Sequence, residues 1–322
     1  MKEMKKVITA IKKHKSFLVT SHINLEGDAL GSQLAMAGLL KGLNKECIIY
    51  DNDKVPWRFL FLPRVGLVRN KIHDLEHIDA AIVLDCPNIK RTGKVKNTLK
   101  KMKYIINIDH HVSNEKFGNI NWVDPGSSSA GEMVYRLFKE SRTPITREVA
   151  LALYISILTD TGSFNYSNTS RVTHEIVSDL LGYGIEPQSV SHSIYENKSI
   201  GELRLLGRAL ENLNVTDDKR VAYLVVRKKD FRVTRTKPSA CEGFVNFARS
   251  LKGVEVSAFF REELKGKSRF NVSFRSTGSV SVNKIAAHFG GGGHKNAAGC
   301  VISGRFRDVE KKVLKRICDE LR

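Results

Sequence analysis

The segment SHINLEGDALGS, residues 21–32, places an imidazole and two carboxylates in one short turn. His22, Glu26 and Asp28 follow a short apolar run and precede a helix-like one. Side chains with this spacing can converge on metal ions. A solvated loop in which Asp28 simply caps the following helix explains the same residues. The pattern is therefore a candidate metal site that needs further ligands from elsewhere in the chain.

Two other apolar runs end in single carboxylates. In VLDCPNIKRTG, residues 83–93, Asp85 ends the run and Arg91 follows closely, although a lone aspartate there is more often a turn residue. In ILTDTGSFNY, residues 157–166, Asp160 ends a helix-like run. The negative end of a helix dipole is a poor place for an isolated carboxylate. A bound cation would remove that penalty.

The segment IINIDHHVSN, residues 105–114, sets an aspartate directly before two adjacent histidines. One of His110 and His111 could bind a metal ion while Asp109 orients it through a hydrogen bond. A polar loop without a ligand is the alternative interpretation.

Together the four clusters supply two histidines and four carboxylates as candidate metal ligands: His22, Glu26, Asp28, Asp85, His110 and Asp160. Mixed oxygen and imidazole ligands suit Mn²⁺ or Mg²⁺ better than a structural zinc ion. The carboxylates suffice for two ions about 3.5–4 Å apart with one carboxylate between them. We therefore expect two divalent cations per chain, with Mn²⁺ as the first choice and Mg²⁺ as the alternative.

The elements that must position these ligands alternate between strand-like and helix-like runs. The predicted strands are 17–20, 47–50, 80–85 and 104–109, and the predicted helices are 1–14, 28–43, 130–140, 147–158 and 172–183. Short apolar runs separated by helices predict an α/β fold in which a buried parallel sheet carries helices on both faces. Ligands of such sheets bind at the carboxyl ends of the strands. The candidate residues should gather there.

The pattern changes after the first domain, which we predict over residues 1–195. A connecting helix is expected over 196–216 and a smaller C-terminal α/β domain over 217–322. The strands predicted in this second domain are 221–226, 254–262 and 269–276, and its helices lie near 240–251, 280–288 and 307–320.

A glycine run in the second domain, FGGGGHKNAAG at residues 289–299, predicts phosphate binding. Consecutive glycines let backbone N–H groups approach an anion, and nearby cations add charge. A tight loop at a strand junction explains four glycines equally well. The predicted substrate-binding residues of this domain are Arg275, Ser276, Gly291, Gly292, Gly293 and His294.

Composition favours a folded protein with polyanionic partners. Lys and Arg total 53 against 34 acidic residues, so the formal net charge is +19. This balance favours nucleotides, nucleic acid or membrane surfaces, although a solvated basic surface without a partner is the alternative. Five scattered cysteines indicate neither a disulfide framework nor a cysteine metal cluster. No apolar run approaches the roughly 20 residues of a membrane span, and we expect a cytoplasmic protein without membrane contact.

The four motifs, in their order, resemble those of the DHH phosphoesterase superfamily, which is named for the motif seen here as Asp109–His110–His111. NVSFRS at residues 271–276 and the glycine run look like the associated DHHA1-type domain. The resemblance covers nearly the whole chain. Within the superfamily the chain looks like the NrnA-type enzymes, which are bifunctional oligoribonucleases and phosphatases of 3′-phosphoadenosine 5′-phosphate (pAp).

The resemblance implies a role for each motif residue. It implies one metal ion held by His22, Glu26 and Asp85, and a second held by Asp28, Asp85, His110 and Asp160. His111 would touch the scissile phosphate, and Asp109 would brace a histidine. The second domain would grip the nucleotide while the first one cuts. Arg91 is a further candidate for contact with the phosphoryl oxygens.

The chain departs from the superfamily's HxxPDGDA form at two positions. Leu25 replaces the usual proline and Glu26 replaces the usual aspartate. Glutamate keeps the charge and the oxygen donors but adds a methylene group. We expect the first metal site to be occupied, with the ion either in an altered position or more weakly bound.

The expected activity is hydrolysis of short RNA oligonucleotides, including pApA, and of pAp, with water activated by two metal ions. A manganese pyrophosphatase would carry an SRKK-like motif in place of GGGGH, and a RecJ-like exonuclease would have a longer chain. A cyclic-dinucleotide phosphodiesterase usually carries membrane and sensor segments. A catalytically silent nucleic-acid-binding module is disfavoured by the intact ligand set. A homodimer is left open as a partner arrangement.

Overall fold

The computed structural model describes residues 2–71, 75, 77–264, 266 and 268–321, and the chain divides into two compact units, residues 1–197 and 198–322. Within the described residues, each unit contains one six-stranded sheet. Both units are α/β structures, as the sequence predicts.

The first unit alternates strands with helices along the chain. Its strands are β1 (Ser16–Thr20), β2 (Glu46–Tyr50), β3 (Val68–Arg69), β4 (Ala80–Leu84), β5 (Ile105–Asp109) and β6 (Ile120–Val123). Its helices are α1 (Lys2–Lys13), α2 (Gly27–Gly42), α3 (Lys96–Leu99), α4 (Ala130–Ser141), α5 (Arg147–Asp160), α6 (Arg171–Leu181) and α7 (Pro187–Tyr195).

The sheet of the first unit has the order β3-β2-β1-β4-β5-β6, and every pair in it is parallel. Successive side chains of a strand point to opposite faces. Phe17 and Val19 therefore enter the core beneath α1, α2, α4 and α5, while Leu18 enters a second core with Leu99 of α3. The sheet is thus covered by helices on both faces, which explains why its strands are continuous apolar runs.

Helices α2 and α5 cross at very short distance because glycine lies at the contact. A Cβ atom on Gly31 would lie 2.4 Å from the Ala152 carbonyl oxygen, and one on Gly27 would lie 2.3 Å from Thr159 Oγ1. The crossing matters for the site, since α2 carries Asp28 in its first turn and α5 ends at Asp160.

The second unit contains a mixed sheet of order β11-β12-β10-β9-β8-β7, in which only β8 and β9 are parallel among the described pairs. Its strands are β7 (Asn214–Val215), β8 (Val221–Val226), β9 (Val256–Glu262), β10 (Arg269–Ser276), β11 (Gly292–His294) and β12 (Ala297–Ser303). Its helices are α8 (Ile200–Glu211), α9 (Lys228–Thr234), α10 (Phe244–Arg249), α11 (Val282–His288) and α12 (Phe306–Glu320).

Most predicted elements occur with ends shifted by a few residues, while the first residue of the helix predicted over 1–14 lies outside the described residues. The helix predicted over 196–216 is too long. It starts after Ser199, whose side chain accepts a hydrogen bond from the Glu202 amide, and it ends at Glu211. Strand β7 follows within the predicted helical range. Strands β3, β6, β11 and β12 and helices α3, α7 and α9 were not predicted.

None of the described helices combines the length and the apolar character that a membrane crossing needs.

Candidate active site

The predicted ligands of the first unit gather at the carboxyl ends of three neighbouring strands. His22 lies two residues beyond β1, Asp85 follows β4 directly, and Asp109 is the last residue of β5. These strands are adjacent in the sheet order β1-β4-β5. The parallel topology therefore brings together side chains that are far apart in sequence.

One cluster joins His22, Glu26 and Asp85, whose ligand atoms all lie within 4.8 Å of one another. His22 Nε2 is 3.2 Å from Asp85 Oδ2 and 3.4 Å from Glu26 Oε1. His22 Nδ1 lies 2.6 Å from the Ile23 carbonyl oxygen. A carbonyl only accepts, so Nδ1 carries a proton and Nε2 is the nitrogen that can face a cation.

A second cluster joins Asp28, His110 and Asp160. His110 Nε2 is 3.5 Å from Asp28 Oδ2 and 3.5 Å from Asp160 Oδ2. His110 Nδ1 lies 3.3 Å from the Ser127 carbonyl oxygen and donates to it. Nε2, the other ring nitrogen of His110, therefore faces the carboxylates, and this arrangement suits a cation between them.

Asp85 connects the two clusters. Its Oδ2 faces His22, while its Oδ1 lies 3.4 Å from His110 Nε2 and 3.5 Å from His111 Nδ1. Oδ1 is buried and accepts no hydrogen bond from the described residues. The Asp85 backbone has a φ of 50°, which is rare for a residue with a side chain. Such local strain is typical of functional positions.

His111 is oriented from behind by a carboxylate. Its Nδ1 donates to Asp109 Oδ1 at 2.7 Å, and Asp109 Oδ2 accepts a hydrogen bond of 2.6 Å from Asn114 Nδ2. This chain fixes the imidazole so that Nε2 is available to a ligand. Asn114 lies in the segment that contains the two histidines, but its role was not predicted. An asparagine offers no sequence signal that separates a buried positioning residue from a loop residue.

The electrostatics of the two clusters are those of a site that requires positive charge. Burial lowers the pKa of His22, but the carboxylates of Asp85 and Glu26 outweigh it and raise the pKa to about 10. Burial raises the pKa of Asp28 well above its ordinary value, and it raises that of Asp160 to about 7. The carboxylates of Asp28, Asp85 and Asp160 all lie within 3.5 Å of His110 Nε2, and carboxylates this close repel each other unless protons or cations lie between them.

These residues fit divalent cations. The donor atoms are carboxylate oxygens and imidazole nitrogens, which bind Mn²⁺ and Mg²⁺ well. Asp28 is held ready by the amino end of α4, where the amides of Ala130 and Gly131 donate to its oxygens at 2.8 and 3.1 Å. Ser156 Oγ also donates to it. Ser156 and the α4 amides were not predicted as parts of the site.

The remaining predicted residue of the first unit is Arg91. It lies in a 3₁₀ segment, Ile89–Val95, and its carbonyl oxygen accepts a hydrogen bond of 2.7 Å from the Ile23 amide. The segment is thereby tied to the loop that carries His22. The Arg91 side chain is half-buried. Its contact with phosphate stays a prediction.

In the second unit, Arg275 lies on β10 and its Nη1 donates to the Phe274 carbonyl oxygen at 2.9 Å. Its Nε is buried and makes no hydrogen bond with the described residues. Ser276 is differently placed. Its hydroxyl donates to the Val280 carbonyl oxygen at 2.8 Å and accepts from Asn296 at 2.9 Å. Those contacts give Ser276 a role in holding the turn after β10.

The predicted glycine loop is partly a strand, since β11 (Gly292–His294) pairs with β12. A Cβ atom on Gly291 would lie 2.2 Å from the Gly299 carbonyl oxygen, and one on Gly293, whose φ is 146°, would lie 2.5 Å from that of Ala297. Packing against β12 therefore accounts for these two glycines. On Gly292 a Cβ would meet only Asn283 Oδ1, at 3.9 Å, so packing does not require glycine there.

Comparisons with known proteins match both units of the chain to domain families. The model of the DHH family N-terminal domain matches residues 16–157, and that of the DHHA1 domain matches residues 218–322. The chain is 31% identical over 305 residues to the bifunctional oligoribonuclease and PAP phosphatase NrnA of Thermus thermophilus, covering 94% of this chain and 89% of that protein. It is 26% identical to the protein of the same name from Bacillus subtilis, with 92% of each covered. The crystal structure of an exopolyphosphatase-related protein from Bacteroides fragilis is 27% identical and aligns with a TM-score of 0.89 over 98% of this chain and 96% of that chain.

Proposed function

This chain belongs to the DHH family of phosphoesterases, and we propose that it hydrolyses short oligoribonucleotides, including pApA, to mononucleotides and pAp to AMP. It is a hydrolase of phosphoester bonds. The observation that carries the proposal is the pair of carboxylate–imidazole clusters that meet at Asp85, at the carboxyl ends of β1, β4 and β5.

In the proposed site, each cluster would hold one divalent cation, which we propose to be Mn²⁺, with Mg²⁺ as the alternative. The residues that would hold the first are His22, Glu26 and Asp85, and those that would hold the second are Asp28, Asp85, His110 and Asp160. When bound, two such ions acidify an attacking water and stabilise charge on the phosphoryl oxygens. His22 and His110 each donate Nδ1 to a backbone carbonyl, so Nε2 of each ring would face an ion.

His111 is proposed to contact the scissile phosphate. Its Nδ1 donates to Asp109, which leaves Nε2 to face the substrate. The buried Asp109 carboxylate lies 2.7 Å from Nδ1 and fixes the orientation of the ring, so that Nε2 would face a phosphoryl oxygen. A preorganised polar group of this kind stabilises developing charge in the transition state.

The second unit is proposed to bind the part of the nucleotide that does not react. The buried Nε of Arg275 has no acceptor among the described residues, and a buried donor in that state favours an acidic ligand. Gly292 has space for the close approach of a phosphate, whereas Gly291 and Gly293 are accounted for by packing. His294 lies at the end of the same strand.

The substrates follow from the relatives and from charge. The named activities of the Thermus thermophilus and Bacillus subtilis relatives are oligoribonuclease and PAP phosphatase, and a formal net charge of +19 attracts polyanions. The proposal includes a cytoplasmic location, which the five free cysteines favour, because disulfides are rare in a reducing compartment. A homodimer stays a prediction for light scattering to test.

Product analysis tests the function directly. RNA oligomers of graded length, labelled at the 5′ or the 3′ end, are incubated with the protein and Mn²⁺, alongside pAp, pyrophosphate and polyphosphate. We expect mononucleotides from the shortest oligomers and AMP from pAp, with activity lost in EDTA and restored by Mn²⁺. Full activity after exhaustive chelation, or hydrolysis of pyrophosphate or polyphosphate alone, would overturn the proposal. Asp85→Asn protein purified in parallel controls for contaminating nucleases.

A further inference from the structure

Residues 127–131, which we refer to as the serine corner, comprise a bend and the first two residues of α4, and they contact two members of the second cluster directly. The Ser127 carbonyl oxygen accepts the hydrogen bond from His110 Nδ1 at 3.3 Å. The Ala130 and Gly131 amides donate to Asp28 at 2.8 and 3.1 Å. These two contacts set the direction of the His110 ring and the position of the Asp28 carboxylate.

The serine corner also reaches Asp160, through one intermediate side chain. Asn168 Nδ2 donates to the Ser128 carbonyl oxygen at 2.9 Å and lies 3.4 Å from Asp160 Oδ2. The same amide is 3.2 Å from the Asp160 carbonyl oxygen. A displacement of Ser128 would therefore be transmitted to the end of α5. The serine corner thus sets the geometry of His110, Asp28 and Asp160, which come from three separate elements.

A single buried carboxylate holds this corner in place. Glu132 on α4 is 1% exposed, and its Oε2 accepts hydrogen bonds from Ser128 N at 3.0 Å and from Ser128 Oγ at 2.6 Å. Thr173 Oγ1 approaches the same oxygen at 3.4 Å, and Arg136 pairs with Oε1. Because these partners come from three segments, the Glu132 side chain has one position in the folded protein.

We infer that Glu132 is a positioning residue for the second metal ion. Among the described residues, Glu132 lies in none of the side-chain clusters that could themselves hold an ion, so it acts through the serine corner. The inference rests on the proposed two-metal function, since it assigns a residue that builds one half of that centre. Partners of metal ligands orient the ligands, and their loss typically weakens metal binding by about 10- to 100-fold.

A helix-capping role alone would not have this effect. The amino end of α4 is already capped by Ser129, whose side chain accepts a hydrogen bond from the Glu132 amide at 3.0 Å. Removal of the Glu132 carboxylate leaves that cap intact but releases Ser128. A capping residue contributes to the free energy of unfolding, whereas a positioning residue contributes to the affinity of one ion.

The test is a Mn²⁺ titration of chelator-treated protein, followed by electron paramagnetic resonance of the loaded protein. Wild type is expected to bind two ions and to show the spectrum of a coupled pair. Glu132→Ala and Glu132→Asp should weaken the second ion by at least about 10-fold and show the six-line spectrum of isolated Mn²⁺. Glu132→Asp keeps the charge but is too short to reach Ser128, so it serves if the alanine variant does not fold.

Glu132→Gln is the conservative rescue, because its amide oxygen can still accept both hydrogen bonds from Ser128. It should restore the coupled spectrum. Asp179→Asn is the matched control. Asp179 on α6 accepts a hydrogen bond of 2.7 Å from Tyr135, which lies on α4 like Glu132. Its hydrogen bonds among the described residues do not involve the serine corner, so the second ion should bind as in wild type.

The outcomes separate the two proposals. Wild-type protein that binds no Mn²⁺ contradicts the proposed metal centre itself. Wild-type protein that binds two ions, with folded Glu132→Ala or Glu132→Asp protein that binds both equally tightly, overturns only the role of Glu132. Equal weakening of both ions in these variants also overturns it, because among the described residues the contacts of the serine corner lead to members of the second cluster.

Discussion

Asp85 concentrates the contacts of the candidate active site in one side chain. Its two oxygens face His22 on one side and His110 and His111 on the other. Burial raises the pKa of Asp85, but the neighbouring imidazoles of His110, His22 and His111 prevail and hold it well below its ordinary value. The carboxylate therefore stays ionised, which suits its proposed role as a ligand of both cations.

Asp85→Asn should abolish turnover and reduce metal binding at both sites, because one neutral amide replaces the charge that both clusters share. We expect kcat/KM to fall by at least about 10³-fold, which corresponds to about 4 kcal/mol. Metal analysis after gel filtration measures the bound ions. Asp79→Asn, at the opposite end of β4, is the control. Two ions retained per Asp85→Asn chain would show that this residue does not bridge.

Asp51 is a buried carboxylate beside the site that none of the proposed roles uses. It follows β2, and its Oδ1 lies 3.4 Å from the Ser21 amide and 3.5 Å from the Ser21 hydroxyl. Its Oδ2 accepts no hydrogen bond from the described residues. Burial raises its pKa from 3.8 to about 7. Because the folded state binds this proton more tightly, stability from Asp51 is complete below pH 3.8 and is lost as the pH rises to about 7.

Asp51→Asn should therefore stabilise the protein more at alkaline pH than at acidic pH. The neutral amide removes the cost of burying a charge, so the gain in free energy of unfolding should grow by on the order of 2 kcal/mol between about pH 5 and pH 8. Urea denaturation of chelator-treated protein at the two pH values measures it. An identical gain at both would assign the effect to packing instead of charge.

At the level of elements, the regular part of the fold is readable from the sequence. Strands β1, β4 and β5 are five-residue apolar runs buried on both faces, and each precedes a candidate ligand. A doubly covered parallel sheet imposes both features. The gathering of His22, Asp85 and Asp109 at one edge could therefore be predicted.

The elements that escaped prediction depend on tertiary contacts. Strand β12, Ala297–Ser303, is rich in small residues, and its order comes from pairing with β10 along seven residues. The connecting helix ends five residues earlier than predicted because Val215 pairs with Ala222 of β8. The same limit applies to the site. Ser156 contacts Asp28 from a different helix. Asn114 and Glu132 contact Asp109 and Ser128, which lie only five and four residues away, but the local sequence does not show that the fold holds these side chains at the site.

The strand pair β11–β12 offers a direct separation of packing from binding. Gly291→Ala places a methyl group against the Gly299 carbonyl oxygen and the Cys300 side chain, and should lower the free energy of unfolding by about 2 kcal/mol. Gly292→Ala meets no close atom and should change it by less than about 0.5 kcal/mol. Thermal denaturation of both variants tests this pair.

The same two variants also test the predicted phosphate contact. If Gly292 approaches a phosphate, Gly292→Ala raises KM for a dinucleotide although its stability is unchanged. An unchanged KM in the Gly292 variant would leave the glycine run with a structural role only.

At the level of the whole molecule, the proposed catalytic residues and the proposed substrate-binding residues of the DHHA1 domain lie in different units. The proposed metal ligands all fall within residues 1–197, and the predicted phosphate contacts of the DHHA1 domain fall within residues 198–322. Binding energy from a distal phosphate can position the scissile bond, so it contributes to kcat/KM only for substrates that have such a group. This division predicts that one variant affects two substrates unequally.

Arg275→Ala should lower kcat/KM for pApA by about 30-fold, the loss of one charged hydrogen bond of about 2 kcal/mol. Hydrolysis of bis-p-nitrophenyl phosphate, which has no distal phosphate, should change by less than about threefold. Arg269→Ala is the matched control. Arg269 lies six residues earlier on β10 and therefore on the same face, but it is half-exposed and pairs with Glu263 at 3.7 Å. The loss of kcat/KM for pApA is compared with the loss for bis-p-nitrophenyl phosphate in one preparation of the Arg275→Ala variant, and their ratio tests the role of Arg275. If both substrates fall by the same factor, Arg275 contributes to folding or to the catalytic centre, and the second unit does not select the substrate in this way.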